Sequence, residues 1–281
     1  MIYRGGDQIL DFRKPLVMGV INITPDSFYA QSRMQTVDDT LIRIKKMKED
    51  GAKIIDIGGM SSRPGAANIS AEEEWNRIGP IIKEVVVSFQ DVIISVDTIH
   101  SKVADKCLNA GVQMINDISA GSFDPQIILT VKDYQATYIA MHMQGQPLTM
   151  QDRPQYDDVV YHILQFFVNK LRWFEKNGLY DVVIDPGFGF GKTLEHNYNL
   201  LRQLHVFKML ERPVMVGISR KSMIFKVLKT DAENALNGTT ACHMVALQQG
   251  ARILRVHDVK EAVETIRLFE ELYCKNGDVK I

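Results

Sequence analysis

The 281-residue chain has only three cysteines, Cys107, Cys242 and Cys274, far apart in sequence and without a Cys-x-x-Cys pair. No cluster of His and Cys has zinc-site spacing either. Cys107 and Cys242 fall inside helical patterns and read as small buried thiols. There is no charge excess: 33 basic against 34 acidic residues leave a formal net charge of −1. A general nucleic-acid binder carries a clear basic surplus, so that class is set aside, and any anion site must come from local placement of Arg and Lys. No run of 18 apolar residues occurs, so no membrane span is expected. The first residues, Met-Ile-Tyr-Arg-Gly-Gly-Asp7, lack a signal-peptide core, and the expected compartment is the cytoplasm. No Ser/Gly linker, low-complexity tract or composition break marks a second domain.

Three familiar motifs are also missing. Pro186-Gly-Phe-Gly-Phe-Gly191-Lys-Thr193 looks like a phosphate loop, but proline stands where a Walker A needs glycine. The same stretch is one residue short of a dinucleotide fingerprint. Gly217-x-Ser219 lacks the closing glycine of a hydrolase elbow, because Lys221 occupies that place.

What is present is a set of eight short apolar runs, each closed by a polar or ionisable residue. They are Met18-Gly-Val-Ile-Asn22, Ile54-Ile-Asp-Ile-Gly58, Ile93-Ile-Ser-Val-Asp97, Met114-Ile-Asn-Asp117, Tyr138-Ile-Ala-Met-His142, Val182-Val-Ile-Asp185, Val214-Met-Val-Gly-Ile-Ser219 and Ile253-Leu-Arg-Val-His257. Apolar runs of this length, rich in β-branched residues, suit strands buried on both faces of a parallel sheet. Segments of helical period separate most of them. The reading is α/β: a single (β/α)₈ TIM barrel over 15–281, preceded by a short β-hairpin extension over 1–14 that turns at Gly5-Gly6-Asp7 and plugs the barrel floor.

Helices are expected over 37–50, capped by Thr36 and stopped at Gly51, and from the capping box Ser70-Ala-Glu-Glu73 towards residue 88. Others are expected over 102–110, after Pro125, over 157–177, and near 195–209, 221–228, 234–249 and 259–275. The longest connections, about 14, 12 and 14 residues, follow the first, second and fifth runs. Long loops on the catalytic face serve as lids or binding loops.

In such a barrel the strand ends ring one pocket. The acids and amides there are Asn22, Asp56, Asp97, Asn116, Asp117 and Asp185; the bases are Arg63, Lys221, Arg255 and His257. Alternation along a strand sends Arg255 and His257 the same way, after a run where barrels commonly bind phosphate. Together with Arg63, in the turn Ser61-Ser-Arg-Pro-Gly65, and with Asn22 as oxygen donor to a metal, they could make a diphosphate site. Buried Asp97 and Asp185 need partners, which a ligand edge with adjacent N–H donors, such as an aminopyrimidinone, would supply.

Plainer readings stand beside these. The turns at 24–27, 61–65 and 185–191 are ordinary when taken singly. His142 reads as a core histidine of the pocket wall, Lys192 and Arg220 as surface or structural residues, and the Phe188/Phe190 pair as core, although its alternation with glycine favours a mobile loop tip. Asp56 and Asp117 could equally bond loop backbone or face the ligand.

Taken jointly, the segments resemble the dihydropteroate synthase family from Pro15 to about Leu272. The matching segments are Met18-Gly-Val-Ile-Asn-Ile-Thr-Pro-Asp-Ser-Phe28, Gly58-Gly-Met-Ser-Ser-Arg-Pro-Gly65, Ser95-Val-Asp-Thr98 and Asn116-Asp-Ile-Ser119. Met141-His-Met-Gln-Gly145, Asp185-Pro-Gly-Phe-Gly-Phe-Gly-Lys192, Ser219-Arg-Lys-Ser222 and Arg255-Val-His257 complete the set. The resemblance implies condensation of 7,8-dihydropterin-6-ylmethyl diphosphate with p-aminobenzoate to dihydropteroate and pyrophosphate, by a dissociative substitution. It implies a pterin pocket of Asp97, Asn116, Asp185 and Lys221, and a diphosphate site of Asn22, Ser62, Arg63, Arg255 and His257. Asn22 would be the Mg²⁺ ligand, and Phe28, Ser62, Pro64, Phe190, Lys221 and Ser222 would border the aminobenzoate. Catalysis would fall to Asp97, Asp185, Lys221, Arg255 and His257. The resemblance further implies a homodimer with small-molecule substrates and no nucleic acid.

Two departures mark the chain. The family usually continues Ser-Phe-Ser-Asp-Gly-Gly where this chain has Ser27-Phe-Tyr-Ala-Gln-Ser-Arg33, so the first loop's acid is missing; Met60 and Ser62 replace a frequent Glu and Thr. A methyl-folate:corrinoid methyltransferase and a non-catalytic pterin-binding barrel are the alternatives. A diphosphate clamp of Arg63, Arg255 and His257 favours the synthase. On that assignment Arg255→Ala should lower turnover while sparing binding of a pterin that lacks the diphosphate.

Overall fold

Each apolar run forms a strand, and period-two alternation divides its residues between a barrel interior and an outer face covered by helices. The computed structural model describes residues 1–5, 8–23, 33–60, 69–145, 150 and 154–273. After an antiparallel hairpin of β1 (Ile2–Gly5) and β2 (Gln8–Asp11), eight strands run parallel. These are β3 (Leu16–Asn22), β4 (Ile54–Gly58), β5 (Ile93–Asp97), β6 (Met114–Asp117), β7 (Thr137–Met141), β8 (Val182–Asp185), β9 (Met215–Val216) and β10 (Ile253–Val256). Their order is β8-β7-β6-β5-β4-β3-β10-β9. A parallel bridge between Ile184 and Val214 joins the two ends into a nearly closed barrel.

The seventh run is shorter as a strand than expected. Its last three residues leave the ladder because the chain folds into a turn: Lys221 N–H donates to the Ile218 carbonyl at 3.1 Å, and Arg220 takes a left-handed φ of 54°.

The helices are α1 (Arg33–Glu49), α2 (Ala71–Ser88), α3 (Ser101–Asn109), α4 (Gln126–Asp133), α5 (Val159–Lys176), α6 (Leu194–Arg202), α7 (Ser222–Leu228), α8 (Leu236–Gln248) and α9 (Val259–Tyr273). Three expectations need correction. The first helix begins at Arg33, so Thr36 lies within it instead of capping it. Ser70 does cap α2, accepting from Glu73 N–H at 3.2 Å, but the Glu73 carboxylate pairs with Arg77. The helix near 195–209 ends at Arg202, and a 3₁₀ segment (Leu204–Leu210) follows, closed by Glu211 at φ 51°.

Eight residues, one per strand, fill the lower barrel: Met18, Ile54, Ile93, Met114, Ile139, Val183, Met215 and Ile253. Tyr3, Leu10 and Phe12, from the hairpin and the residue after it, pack into the same cluster from below. Tyr3 and Phe12 meet edge to face with centroids 5.3 Å apart, and Tyr3 Oη donates to the Val182 carbonyl at 3.1 Å. The plug expected of this hairpin is in place. Outward residues of the same strands, such as Ile21, Ile55, Ile94, Ile115, Ile184 and Leu254, join a second cluster with the helices.

Candidate active site

Counting upward by two from the floor layer gives the inward residues at the strand ends: Asn22, Asp56, Asp97, Asn116, Met141, Asp185, Gly217, Arg255 and His257. Parity alone therefore puts Asp56 inside. It puts Asp117, in phase with Ile115, outside. Asp117 accordingly bonds its own loop: Ser119 N–H and Gly121 N–H donate to it at 2.7 and 2.8 Å, and Tyr138 Oη at 2.6 Å. Burial raises its carboxyl above the usual range, and those hydrogen bonds oppose the rise.

Asp56 is fully buried and is the hub of the pocket. Arg255 Nε donates to its Oδ2 at 2.7 Å and Asn116 Nδ2 donates to the same oxygen at 3.0 Å. Arg255 Nη2 reaches on to Asp97 Oδ2 at 2.9 Å. One guanidinium thus ties strands β4, β5 and β10 together at the pocket wall. Burial pushes Asp97 up to about 7; Arg255 opposes this, while the charges of Asp56, Asp117 and Asp185 add to it. Asp185 Oδ1 accepts from Gly187 N–H at 2.8 Å, and its carboxyl is raised by burial and pulled back chiefly by Lys221. The inward carboxyls outnumber the two cations Arg255 and Lys221, a surplus that suits a neutral ligand rich in N–H donors.

Lys221 caps α7 just above this wall. Its Nζ donates to the Phe188 carbonyl at 2.7 Å and lies 4.8 Å from the Phe190 ring centroid. Burial lowers it to about 8, with the Asp185 charge pulling the other way. Gly217 faces it without a side chain, and a Cβ there would stand 3.8 Å from Lys221 Nζ and 3.9 Å from Arg255 Cβ. That gap is the open side of the wall.

Arg220, expected to be surface or structural, is structural. Its Nε and Nη2 pair with Asp258 at 2.7 and 2.9 Å, and Nη1 bonds the Ala232 and Glu233 carbonyls. His257 stands exposed at the rim, its N–H donating to Ser219 Oγ at 3.3 Å. Partial loss of solvent around the ring, and then the Arg255 charge, lower its pKa. Ser222 opens α7, exposed at the same rim. Phe190 joins Met60, Ile99, Ile118, Met141 and Met150 in an apolar collar. Phe188 is wholly buried in the outer core, so the pair is not a loop tip. Met60, one of the departures from the family, is buried in that collar, where an uncompensated Glu would be costly.

Lys192 is buried and not on the surface. His142 is a core histidine as expected, packed edge to face on Phe166 at 4.9 Å. Phe28, Ser62, Arg63 and Pro64 lie outside the described residues.

Sequence reasoning missed Glu74. Fully buried in the first turn of α2, it accepts from Thr98 Oγ1 at 2.8 Å, one residue past Asp97. Its Oε1 has no hydrogen-bond partner among the described residues. The clue was a carboxylate in step with buried Ile78 four residues on. Burial first, and then the Asp97 charge, raise Glu74 from 4.5 to about 7. The unfolded chain ionises it near 4.5, so its contribution to stability is intact below that pH and is lost as pH rises to about 7. Glu74→Gln removes the ionisation. Relative to the unsubstituted protein it should gain about 3 kcal/mol between pH 5 and pH 8, read by denaturant unfolding at both. An unchanged difference would reject a protonated Glu74.

Proteins of known family resemble this chain in sequence and in fold. The model of the pterin binding enzyme family matches residues 18–257. The chain is 42% identical to the dihydropteroate synthase of Escherichia coli strain K12 over 263 residues, 93% of each chain. It superposes on the Yersinia pestis dihydropteroate synthase, solved with a sulfonamide drug, with a TM-score of 0.91 and 40% identity, covering 97% of this chain and 99% of that one. The Xanthomonas albilineans dihydropteroate synthase in complex with 7,8-dihydropteroate gives a TM-score of 0.85 at 33% identity, over 97% and 98% of the two chains. The chain belongs to the dihydropteroate synthase family of pterin-binding transferases.

Proposed function

We propose that the inward strand ends hold the pterin ring of 7,8-dihydropterin-6-ylmethyl diphosphate, with Asp97, Asn116 and Asp185 facing its polar edge and Lys221 beside it. The observation that carries this reading is the Asp56–Arg255–Asp97 triad with Asn116 attached: a rigid, buried row of acceptors that a flat N–H-rich ring completes. The diphosphate then points to the rim, towards His257, Asn22 and the outer side of Arg255, with Ser62 and Arg63. The aminobenzoate sits against Phe190, Lys221 and Ser222, with Phe28, Ser62 and Pro64.

Mg²⁺ fits only as a companion of the substrate. Asn22 ends β3 exposed, its Oδ1 3.5 Å from where a Cβ on Gly58 would stand. One neutral oxygen does not hold the ion alone, and no group of three metal-binding His, Cys, Asp or Glu occurs among the described residues. Mg²⁺ takes its remaining ligands from phosphates and water, so Asn22 suits an ion that arrives on the diphosphate. When bound, that ion neutralises charge on the leaving group.

The chemistry asks little acid–base work. The C–O bond between the pterin methylene and the diphosphate breaks first, and the aryl amine then forms the new C–N bond there. The bonding pair leaves with pyrophosphate, and the amine gives a proton to water. Asp97 and Asp185 stabilise the positive charge that develops at the methylene in a dissociative step, and Arg255 and His257 receive the departing anion. The same reading makes 15–281 the catalytic unit and 1–14 an extension. It places the protein in the cytoplasm as a homodimer, with sulfonamides competing at the aminobenzoate side.

Purified protein with Mg²⁺, the pterin diphosphate and p-aminobenzoate should release pyrophosphate and form dihydropteroate. Release no greater than that of boiled protein would reject the synthase reading, and methyl transfer from methyl-folate to a corrinoid would replace it.

A further inference from the structure

The segment that imitates a phosphate loop, 186–193, is built the opposite way. In a phosphate loop, backbone N–H groups and a lysine face outward to an anion. Here Lys192 turns back into its own loop. Its Nζ donates to the Gly187 carbonyl at 2.8 Å, the Phe190 carbonyl at 2.9 Å and His142 Nδ1 at 3.1 Å, with the His142 carbonyl at 3.4 Å. All three ammonium protons therefore have acceptors. An ammonium offers no lone pair, so His142 Nδ1 accepts and the ring proton sits on Nε2. Burial and the Lys192 charge keep His142 neutral, lowering it to about 2.

The rest of the loop is closed as tightly. Gly187 N–H goes to Asp185, Gly189 N–H to Asn197 Oδ1 at 2.7 Å, and the Gly191 carbonyl to Tyr156 Oη at 2.9 Å. Gly187 has φ 73°, and a Cβ there would come within 1.9 Å of the His142 carbonyl oxygen. A second backbone strand approaches where no side chain fits. In this loop the Phe188 carbonyl accepts from Lys221 Nζ. The next aromatic ring, Phe190, lies under the same ammonium.

We propose that Lys192 is a positioning residue: by gathering the Gly187 and Phe190 carbonyls on either side of Phe188, it sets where Lys221 presents its ammonium to the pterin. This rests on the assignment of Lys221 to the pterin pocket. Lys192 touches no substrate. Burial lowers it to about 7, with the Asp185 charge opposing, so its cost is borne for the loop geometry it imposes. A substitution of Lys192 chosen for the motif would be read as a lost phosphate contact; its effect here passes through Lys221.

A double-mutant cycle tests this. Lys221→Met, Lys192→Met and the double variant are titrated calorimetrically with 7,8-dihydropterin-6-ylmethyl diphosphate and Mg²⁺, and folding is checked by circular dichroism. Lys192→Met should raise Kd about tenfold or more. The double variant should bind no worse than Lys221→Met alone, because the first loss is contained in the second. A Lys192→Met affinity within twofold of the unsubstituted protein, or losses that multiply, would overturn the proposal. If Lys221→Met leaves Kd unchanged while the protein is folded, the pocket assignment itself fails and the positioning role falls with it. Should Lys192→Met not fold, Lys192→Gln, which keeps one donor group, is put through the same cycle with the same two outcomes.

Discussion

Arg255→Ala is expected to cost about 3–5 kcal/mol of stability at neutral pH, because it strips the shared cation from two carboxylates whose side chains are 0% and 9% exposed. Asp56 is fully buried, and the Arg255 side chain is only 18% exposed. The deficit should shrink as pH falls, since the orphaned carboxyls then shed their charge by taking up protons. Urea unfolding of both proteins at pH 5 and pH 8 reads it directly. A loss under 1 kcal/mol at pH 8 would mean that the triad is solvated and contributes little. The geometry also changes what binding should show. Sequence reasoning expected diphosphate-free pterin to be spared, but Arg255 bonds Asp97, which on the proposed assignment faces the pterin. Both ligands should now lose affinity, with the diphosphate losing more. Equal losses would remove Arg255 from the diphosphate site.

Asp185→Asn carries the second large effect. The amide keeps an oxygen that can still accept from Gly187 N–H, bonded at 2.8 Å in the unsubstituted protein, so the loop stays in place and the lost charge is the variable. Hydrogen bonds to a charged acceptor contribute about 1.5–3 kcal/mol, so pterin Kd should rise on the order of 10- to 150-fold. The thermal midpoint should hold or rise, because a buried charge has gone. Titration with the pterin alone decides it: unchanged affinity removes Asp185 from the pocket.

Most of the barrel could be read from the chain because its strands are buried on both faces and its helices separate them cleanly. The closing polar residues then follow from topology alone. The places where reading fell short have specific causes. Asp56 and Asp117 look alike as strand-end acids, yet one residue of parity turns the first into the barrel and the second to its own loop. That parity follows from Ile54, which faces the barrel floor, and Ile115, which faces the helices. Lys192 reads from the chain as surface or structural, because lysine is usually exposed; the three backbone and ring acceptors that make it structural are invisible without coordinates. Glu74 hid in a run of three glutamates at a helix start, where charge is ordinary. The 3₁₀ break after Arg202 has no Gly or Pro to announce it.

The hairpin plug has a consequence for traffic. With Tyr3, Leu10 and Phe12 sealing the lower end, the barrel is a blind alley with one mouth. A pterin seated on the deep strand ends lies beneath the rim where Phe190, Ser222 and His257 meet the other ligands. Whatever sits at the bottom has to arrive first and depart last. An aminobenzoate lodged early would cork the vessel, and a finished product has to back out past the door its parts came in by. On the proposed assignment the order of addition would follow from this closed floor, where eight strand side chains and the three beneath them leave the pterin no second way in.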